Sequence, residues 1–178
     1  YKLKSMNVGT KFYNVIKNMY TENEVCMKFK NKITDFFRPT LGVKQGDNLS
    51  SSLFNIYIND LTFDFTDQCE PVTIGNSKIH CLMYADDIVL LSESEIGLQT
   101  SLDIVSEYCS KWKLEVNHKK SKILIFEPRR EPCNSIFKIG SEVLERVYSY
   151  KYLGIVLEYT GHYKSAKNDL YMRSQKAY

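Results

Sequence analysis

This sequence has no pattern of cysteine and histidine that would hold zinc. Its five cysteines, Cys26, Cys69, Cys81, Cys109 and Cys133, are widely spaced and form no C-x-x-C pair, and its histidines fall at no metal-ligand spacing. An odd number of scattered thiols argues against a disulfide framework. Free cysteines in a reducing, intracellular compartment are expected instead, with nucleus and cytoplasm equally open. No apolar stretch approaches the ~18 residues of a membrane helix, so no membrane partner is expected. No short cationic segment followed by an apolar run opens the chain, so no secretory leader is expected either. Repeats and low-complexity segments are also lacking. The first residue is Tyr1 rather than Met, and the last stretch looks helical without a cap. Both ends read as cuts through a longer polypeptide.

What is present fits one globular domain, or one domain with the edge of another. The chain has 178 residues, 43% of them hydrophobic and 25% charged. Thirteen tyrosines and nine phenylalanines make it rich in aromatic area, much of it with a polar handle. The net charge is only +3, but it is unevenly spread. Residues 1–38 hold 8 basic and 3 acidic side chains, residues 39–110 hold 2 and 11, residues 111–138 hold 8 and 3, and residues 139–178 hold 6 and 4. An acidic middle between basic flanks suits a cation site beside a polyanion track. Chance clustering on solvated faces accounts for it equally well.

Phe12, Val15, Ile16 and Met19 recur at helical spacing, which predicts a helix from Thr10 to about Thr21 with Thr10 placed to cap it. Residues 25–29 and 33–37 read as strands around a Lys-Asn-Lys turn. A helix is expected from Leu53 to about Phe65, apolar around much of its girth and therefore buried. Residues 72–74, 79–84 and 88–91 read as strands, the last two flanking Ala-Asp-Asp as a β-hairpin. Residues 94–112 read as a helix with Ile96, Leu98, Leu102, Val105 and Tyr108 as its apolar set. Short strands are expected at 114–116, 123–126, 136–139 and 152–157, and a helix from about His162. Helices and strands mix without βαβ regularity, which predicts an α+β fold with a mostly antiparallel sheet packed on helices.

Two stretches carry chemistry. In YADDIVLLS, residues 84–92, two adjacent carboxylates sit between apolar runs. In a straight strand, neighbours point to opposite faces. At a tight turn, Asp86 and Asp87 can converge on one cavity while the flanking strands bury the stem. Hard cations such as Mg²⁺ prefer such oxygen donors, and a pair of them ~3.5–4 Å apart can activate an attacking oxygen and stabilise a leaving one. Asp is also a common turn former, so the dipeptide alone says little. Hairpin turns, however, favour Asn-Gly or Asp-Gly over two like charges. The second stretch, GVKQGDNLSSSLFNIYINDL at 42–61, offers Gly42 and Gly46 for close backbone approach, with Lys44 and Gln45 able to touch phosphate or base edges.

With KWKLEVNHKKSKILIF at 111–126 and YSYKYLGIVL at 148–157, these blocks stand in the order found in the reverse transcriptase of non-LTR (LINE-type) retrotransposons, and nearly the whole chain resembles that palm region. The resemblance implies part of a right-hand polymerase. Residues 1–38 would be the remainder of fingers and palm, 39–158 the palm, and 159–178 the start of a truncated thumb. It implies an RNA-directed DNA polymerase that extends a primer 3′-OH with two Mg²⁺ ions, Mn²⁺ being the alternative. Its partners would be an RNA template, a DNA primer, deoxynucleoside triphosphates and the rest of a parent polyprotein. Asp86 would ligate metal and Asp87 would ligate or support. Tyr84 and Ala85 would lie near the primer terminus, Gln45 and Gly46 near the templating base and incoming nucleotide, and Lys120 near the triphosphate. Tyr152, Leu153 and Gly154 would form the turn that grips the primer. Two departures stand out. Asn48 occupies a position that is usually proline, and the block bearing a further metal-binding Asp, expected before the 10–21 helix, is not among these residues. The segment is therefore expected to be inert alone. A non-catalytic nucleic-acid-binding remnant of a decayed element and an intron-encoded maturase palm are the alternatives.

Overall fold

The computed structural model describes residues 1–21, 23–39, 42–44, 46–126 and 135–176. In chain order its elements are α1 (Lys2–Ser5), α2 (Thr10–Thr21), β1 (Lys28–Phe29), β2 (Lys32–Ile33), α3 (Asn48–Ile58), α4 (Leu61–Asp64), β3 (Val72–Ile74), β4 (Ser77–Ile79), β5 (Cys81–Tyr84), β6 (Asp87–Leu90), α5 (Glu95–Trp112), β7 (Lys122–Leu124), β8 (Lys138–Ile139), β9 (Glu142–Val143), β10 (Glu145–Val147), β11 (Ser149–Tyr152), β12 (Ile155–Glu158) and α6 (Lys164–Lys176). They fall into two compact units, Tyr1–Thr62 with Met83–Ile88, and Phe63–Leu82 with Val89–Tyr178. None of the described helices is long and apolar enough to cross a membrane.

In the first unit, α2 spans the residues its periodicity predicts, but Thr10 is its first helical residue and does not stand in the cap position. Of its apolar set only Ile16 is buried, while Phe12, Val15 and Met19 are exposed. Spacing reveals an apolar face; it does not reveal what covers that face. The two strands expected after it form one hairpin, shorter than expected. β1 and β2 pair antiparallel, a single Val25–Phe37 bridge extends them, and Lys30 turns the chain at a φ of 54°.

The helix expected from Leu53 begins five residues sooner, because Asp47 caps it: the Leu49 N–H donates to the Asp47 carboxylate at 3.0 Å. It also stops at Ile58, and α4 is a separate turn. The expectation of a buried helix needs correction as well. Ser50 and Ile58 are buried, but Leu53, Phe54, Ile56 and Tyr57 are only half-buried. α1 covers part of it, anchored by buried Lys2, whose ammonium bonds the Tyr57 carbonyl and the Asp60 carboxylate.

The second unit is built around α5. Ser94 caps it by accepting from the Gly97 N–H at 3.0 Å, and Lys113 closes it in the left-handed region at a φ of 55°. Leu102, Val105 and Tyr108 are buried as predicted, but Ile96 is 77% exposed. The neighbouring Gly97 faces inward instead. A β-carbon there would lie 2.5 Å from the Cys69 carbonyl oxygen, so only glycine allows this first turn so close to the 3-10 turn at Asp67–Cys69. Cys69, Ile123, Phe137, Ile139, Leu144 and Ala166 are also buried in this unit.

The strands form six two-stranded pieces among the described residues. Every pair is a hairpin except β7–β10, a parallel pair whose Lys122 and Glu145 are register partners joined by an ion pair at 2.6 Å. Residues 114–116, expected as a strand, pair with nothing in a ladder. The strand expected at 152–157 is instead a hairpin, β11–β12, because Leu153 and Gly154 both take positive φ values of 45° and 84°. Such a pair of values belongs to the tight hairpin turns that match strand twist. α6 packs on β12, burying Ala166, and Ser165 donates to the Glu158 carboxylate at 2.6 Å.

Candidate active site

The β5–β6 hairpin forms where the sequence predicts one, with a tighter tip than expected: the first strand begins at Cys81, not Ile79, and Asp87, expected in the turn, is the first residue of β6. Apolar Cys81, Met83, Ile88, Val89 and Leu90 are half-buried and fix its stem. Its tip is a two-residue turn, Ala85-Asp86, between Tyr84 and Asp87. Ala85 holds a φ of 52°, a left-handed conformation that costs an alanine about 1–2 kcal/mol. Backbone strain of this kind persists only where the surroundings impose it, and it concentrates at functional sites.

Tyr84, Ala85, Asp86 and Asp87 are all exposed, Tyr84 by 64%. Among the described residues neither carboxylate accepts a hydrogen bond or joins an ion pair. The acidic pair is therefore neither a cap nor a salt bridge. Two exposed carboxylates with all their lone pairs available match what a hard divalent cation requires. Among the described residues no group of three or more His, Cys, Asp or Glu side chains is arranged to hold a metal, so Asp86 and Asp87 would be a partial ligand set.

Gly46 belongs to the same compact unit as the hairpin tip, at a φ of 85° where a side chain is disfavoured. Just after it the chain tightens into α3. The Asp47 N–H donates to the Lys44 carbonyl at 3.3 Å, and the Ser50 hydroxyl donates to the same oxygen at 2.6 Å. Asn48, where proline is usual in the resembled family, is the first helical residue, a position proline also favours, and the turn holds without it. Gln45 lies outside the described residues.

The remaining predicted residues stand in the other unit. Lys120 ends a turn in which its N–H donates to the Asn117 carbonyl at 3.0 Å and to the Asn117 side-chain oxygen at 3.2 Å. Its own carbonyl accepts from the Tyr150 hydroxyl at 3.0 Å, which ties this turn to β11. Lys122 is held by Glu145, whereas Lys119 and Lys120 are exposed and form no ion pair among the described residues. Leu153 and Gly154 form the β11–β12 turn, and Tyr152, expected in it, is the last residue of β11, paired with Ile155.

Sequence reasoning missed what holds that turn. Arg173 of α6 donates to the Gly154 carbonyl at 2.6 Å and pairs with Asp169 at 2.9 Å, and Asp169 also accepts from Lys151 of β11 at 3.0 Å. The hydrogen bond from Lys151 and the charges of Arg173 and Lys151 hold the Asp169 carboxyl below its ordinary value. The spacing of Asp169 and Arg173, four apart on a helix, was the available signal. The four described cysteines are free thiols, and burial raises those of Cys81 and Cys109.

Comparison with known proteins gives a consistent picture. Residues 1–157 match the family model for reverse transcriptase (RNA-dependent DNA polymerase). The chain is 29% identical over 167 residues, 89% of its length, to the Pol polyprotein of the retrotransposable element R2DM of Drosophila melanogaster. It is 32% identical over 151 residues, 80% of its length, to the R2 polyprotein of Nasonia vitripennis. To the RNA-directed DNA polymerase of the mobile element jockey from Drosophila funebris it is 26% identical over 164 residues, 89% of its length. It spans only 16%, 14% and 17% of those relatives.

Proposed function

The chain belongs to the reverse transcriptase family, in its non-LTR retrotransposon branch, and from that premise we propose that it supplies the metal-binding hairpin and primer-contacting turn of an RNA-directed DNA polymerase. The observation that carries this reading is the β5–β6 tip: two adjacent, exposed carboxylates, unpartnered among the described residues, on a turn strained at Ala85. The positive φ alone does not set this tip apart, since the exposed turn at Lys30 shares it; the paired like charges do, because a solvated turn has no need of them.

In this reading Asp86 and Asp87 hold divalent ions, Mg²⁺ by preference for their oxygen donors. When bound, such ions lower the pKa of the attacking hydroxyl and neutralise charge on the transferring phosphoryl group. The chain's own residues position the reactants. Tyr84 and Ala85 border the primer terminus. Gly46, with no side chain, leaves room for the templating base and nucleotide. Lys120 faces the triphosphate on a turn pinned by Asn117 and Tyr150. Residues 1–38 belong to fingers and palm, 39–158 to the palm, and 159–178 to the start of the thumb. The template is RNA, the primer DNA, and the remaining parts come from the rest of the polyprotein.

Two carboxylates on one hairpin under-ligate two cations, and positioning with charge stabilisation makes up most of phosphoryl-transfer catalysis. These 178 residues alone are therefore expected to be inert. Primer extension on an RNA template, with Mg²⁺, tests both parts. A polypeptide extended to include the preceding Asp-bearing block should extend primers, and the 178-residue segment should not. Robust extension by the segment overturns its inertness. Activity surviving Asp86→Asn in the extended protein overturns the metal-site assignment.

A further inference from the structure

The contacts of α6 lead beyond those roles. Three side chains converge on the β11–β12 turn: Lys151 on β11 and Asp169 and Arg173 on α6. Arg173 reaches the turn itself, donating to the Gly154 carbonyl at 2.6 Å. A β-carbon at Gly154 would meet the same guanidinium at 3.5 Å, so the arginine covers the turn closely. Asp169 stands between the two cations and fixes both. A second contact holds the other end of the helix, where Ser165 donates to Glu158 of β12. α6 is thus fastened to the hairpin at its strand end and at its turn.

We infer that Arg173 and Asp169 are positioning residues that lock the Leu153-Gly154 turn, making α6 the element that sets where the turn meets the primer. The inference rests on the primer-gripping role proposed for that turn. The chemistry is specific. A hairpin of four-residue strands with both turn residues in the left-handed region is marginal by itself. A turn carbonyl normally left to water is here held by a charged donor, and hydrogen bonds to charged groups are the stronger ones. Arginine suits this because one guanidinium can bond the carbonyl and the carboxylate together. A lysine ammonium also has donors for both acceptors, but as a point charge on a flexible stem it lacks the fixed fork that holds them in one geometry.

The test uses the extended, active polypeptide. Arg173→Ala should raise KM for primer-template about 3- to 10-fold with little change in kcat. Arg173→Lys should recover part of this. Asp169→Asn should fall between. The exchange Asp169→Arg with Arg173→Asp keeps an i,i+4 ion pair on the helix but removes the Gly154 contact and sets two cations together, so it should not rescue. Rescue by the exchange overturns the inference, because helix stability alone would then explain the single variants. Gly154→Ala separates the two readings. If it raises KM while Arg173→Ala does not, the lock falls and the primer grip stands. If Gly154→Ala leaves KM unchanged, the grip falls, and amide exchange decides the lock. Faster exchange at residues 153–156 in Arg173→Ala sustains it, and unchanged exchange overturns it.

Discussion

Of the three described hairpins with a left-handed non-glycine residue at the tip, the two beyond the Lys30 turn invite comparison. Each has a two-residue turn after a tyrosine, Tyr84 before Ala85-Asp86 and Tyr152 before Leu153-Gly154. Both hold that first turn residue at a φ near 50°, Ala85 at 52° and Leu153 at 45°. There the likeness ends. The first tip presents two carboxylates that nothing described engages, so it is organised toward a ligand. The second is held from behind by Arg173 and has glycine at its other positive-φ position, so it is organised as a fixed surface. One tip offers chemistry and the other offers shape, and substitutions should separate them.

The largest expected difference is in rate. In the extended polypeptide, Asp86→Asn keeps the size of the side chain and removes a charge, and should lower primer extension on the order of 10³-fold with primer affinity nearly unchanged. Steady-state kinetics with varied primer-template measure both. Gly154→Ala should do the reverse. It should raise primer KM, leave the chemical step close to normal, and reduce stability by about 1 kcal/mol in chemical denaturation, because alanine at a φ of 84° is strained. If the two substitutions have the same kinetic signature, the contrast between the tips is wrong.

Ala85→Gly sharpens the comparison from the other side. Glycine relieves the left-handed strain, so the folded protein should gain up to ~1 kcal/mol. If the strain serves to aim Asp86, activity should fall as stability rises. A gain in stability with unchanged activity would make Ala85 an ordinary turn residue.

The contrast was only half legible in sequence. The first tip announced itself, because apolar runs on both sides of Ala-Asp-Asp leave no other place to turn. The second did not show in the residue pattern, which reads 152–157 as one strand; the resemblance alone marked a turn at Tyr152, Leu153 and Gly154, and the backbone values of Leu153 and Gly154 are what break the strand. The helices α2 and α5 were visible from periodicity, which survives without tertiary partners. Their burial was legible only in part: Leu102, Val105 and Tyr108 are buried, but Ile96 and Phe12 of the same apolar sets are exposed. The parallel β7–β10 pair joins strands more than twenty residues apart, and no local pattern reports such a contact. Lys2 illustrates the same limit: a charge near the chain's start is buried because Asp60 and the Tyr57 carbonyl receive it.

The smallest effect tests the lock on the second tip by pH. The Asp169 carboxyl titrates below its ordinary value of 3.8, chiefly through the Lys151 hydrogen bond and then the charges of Arg173 and Lys151. A folded-state pKa lower than the unfolded one means that the unfolded chain binds the proton more readily. The stabilisation from Asp169 is therefore complete above about pH 5, and it drains away as pH falls through 3.8 towards the folded value. Asp169→Asn should be slightly less stable than the parent at neutral pH, and the difference should close on acidification. Because the network lies at the surface, added salt should shrink the gap as well. If the Asp169→Asn deficit persists at low pH, a neutral hydrogen bond rather than the charged network holds the helix to the turn.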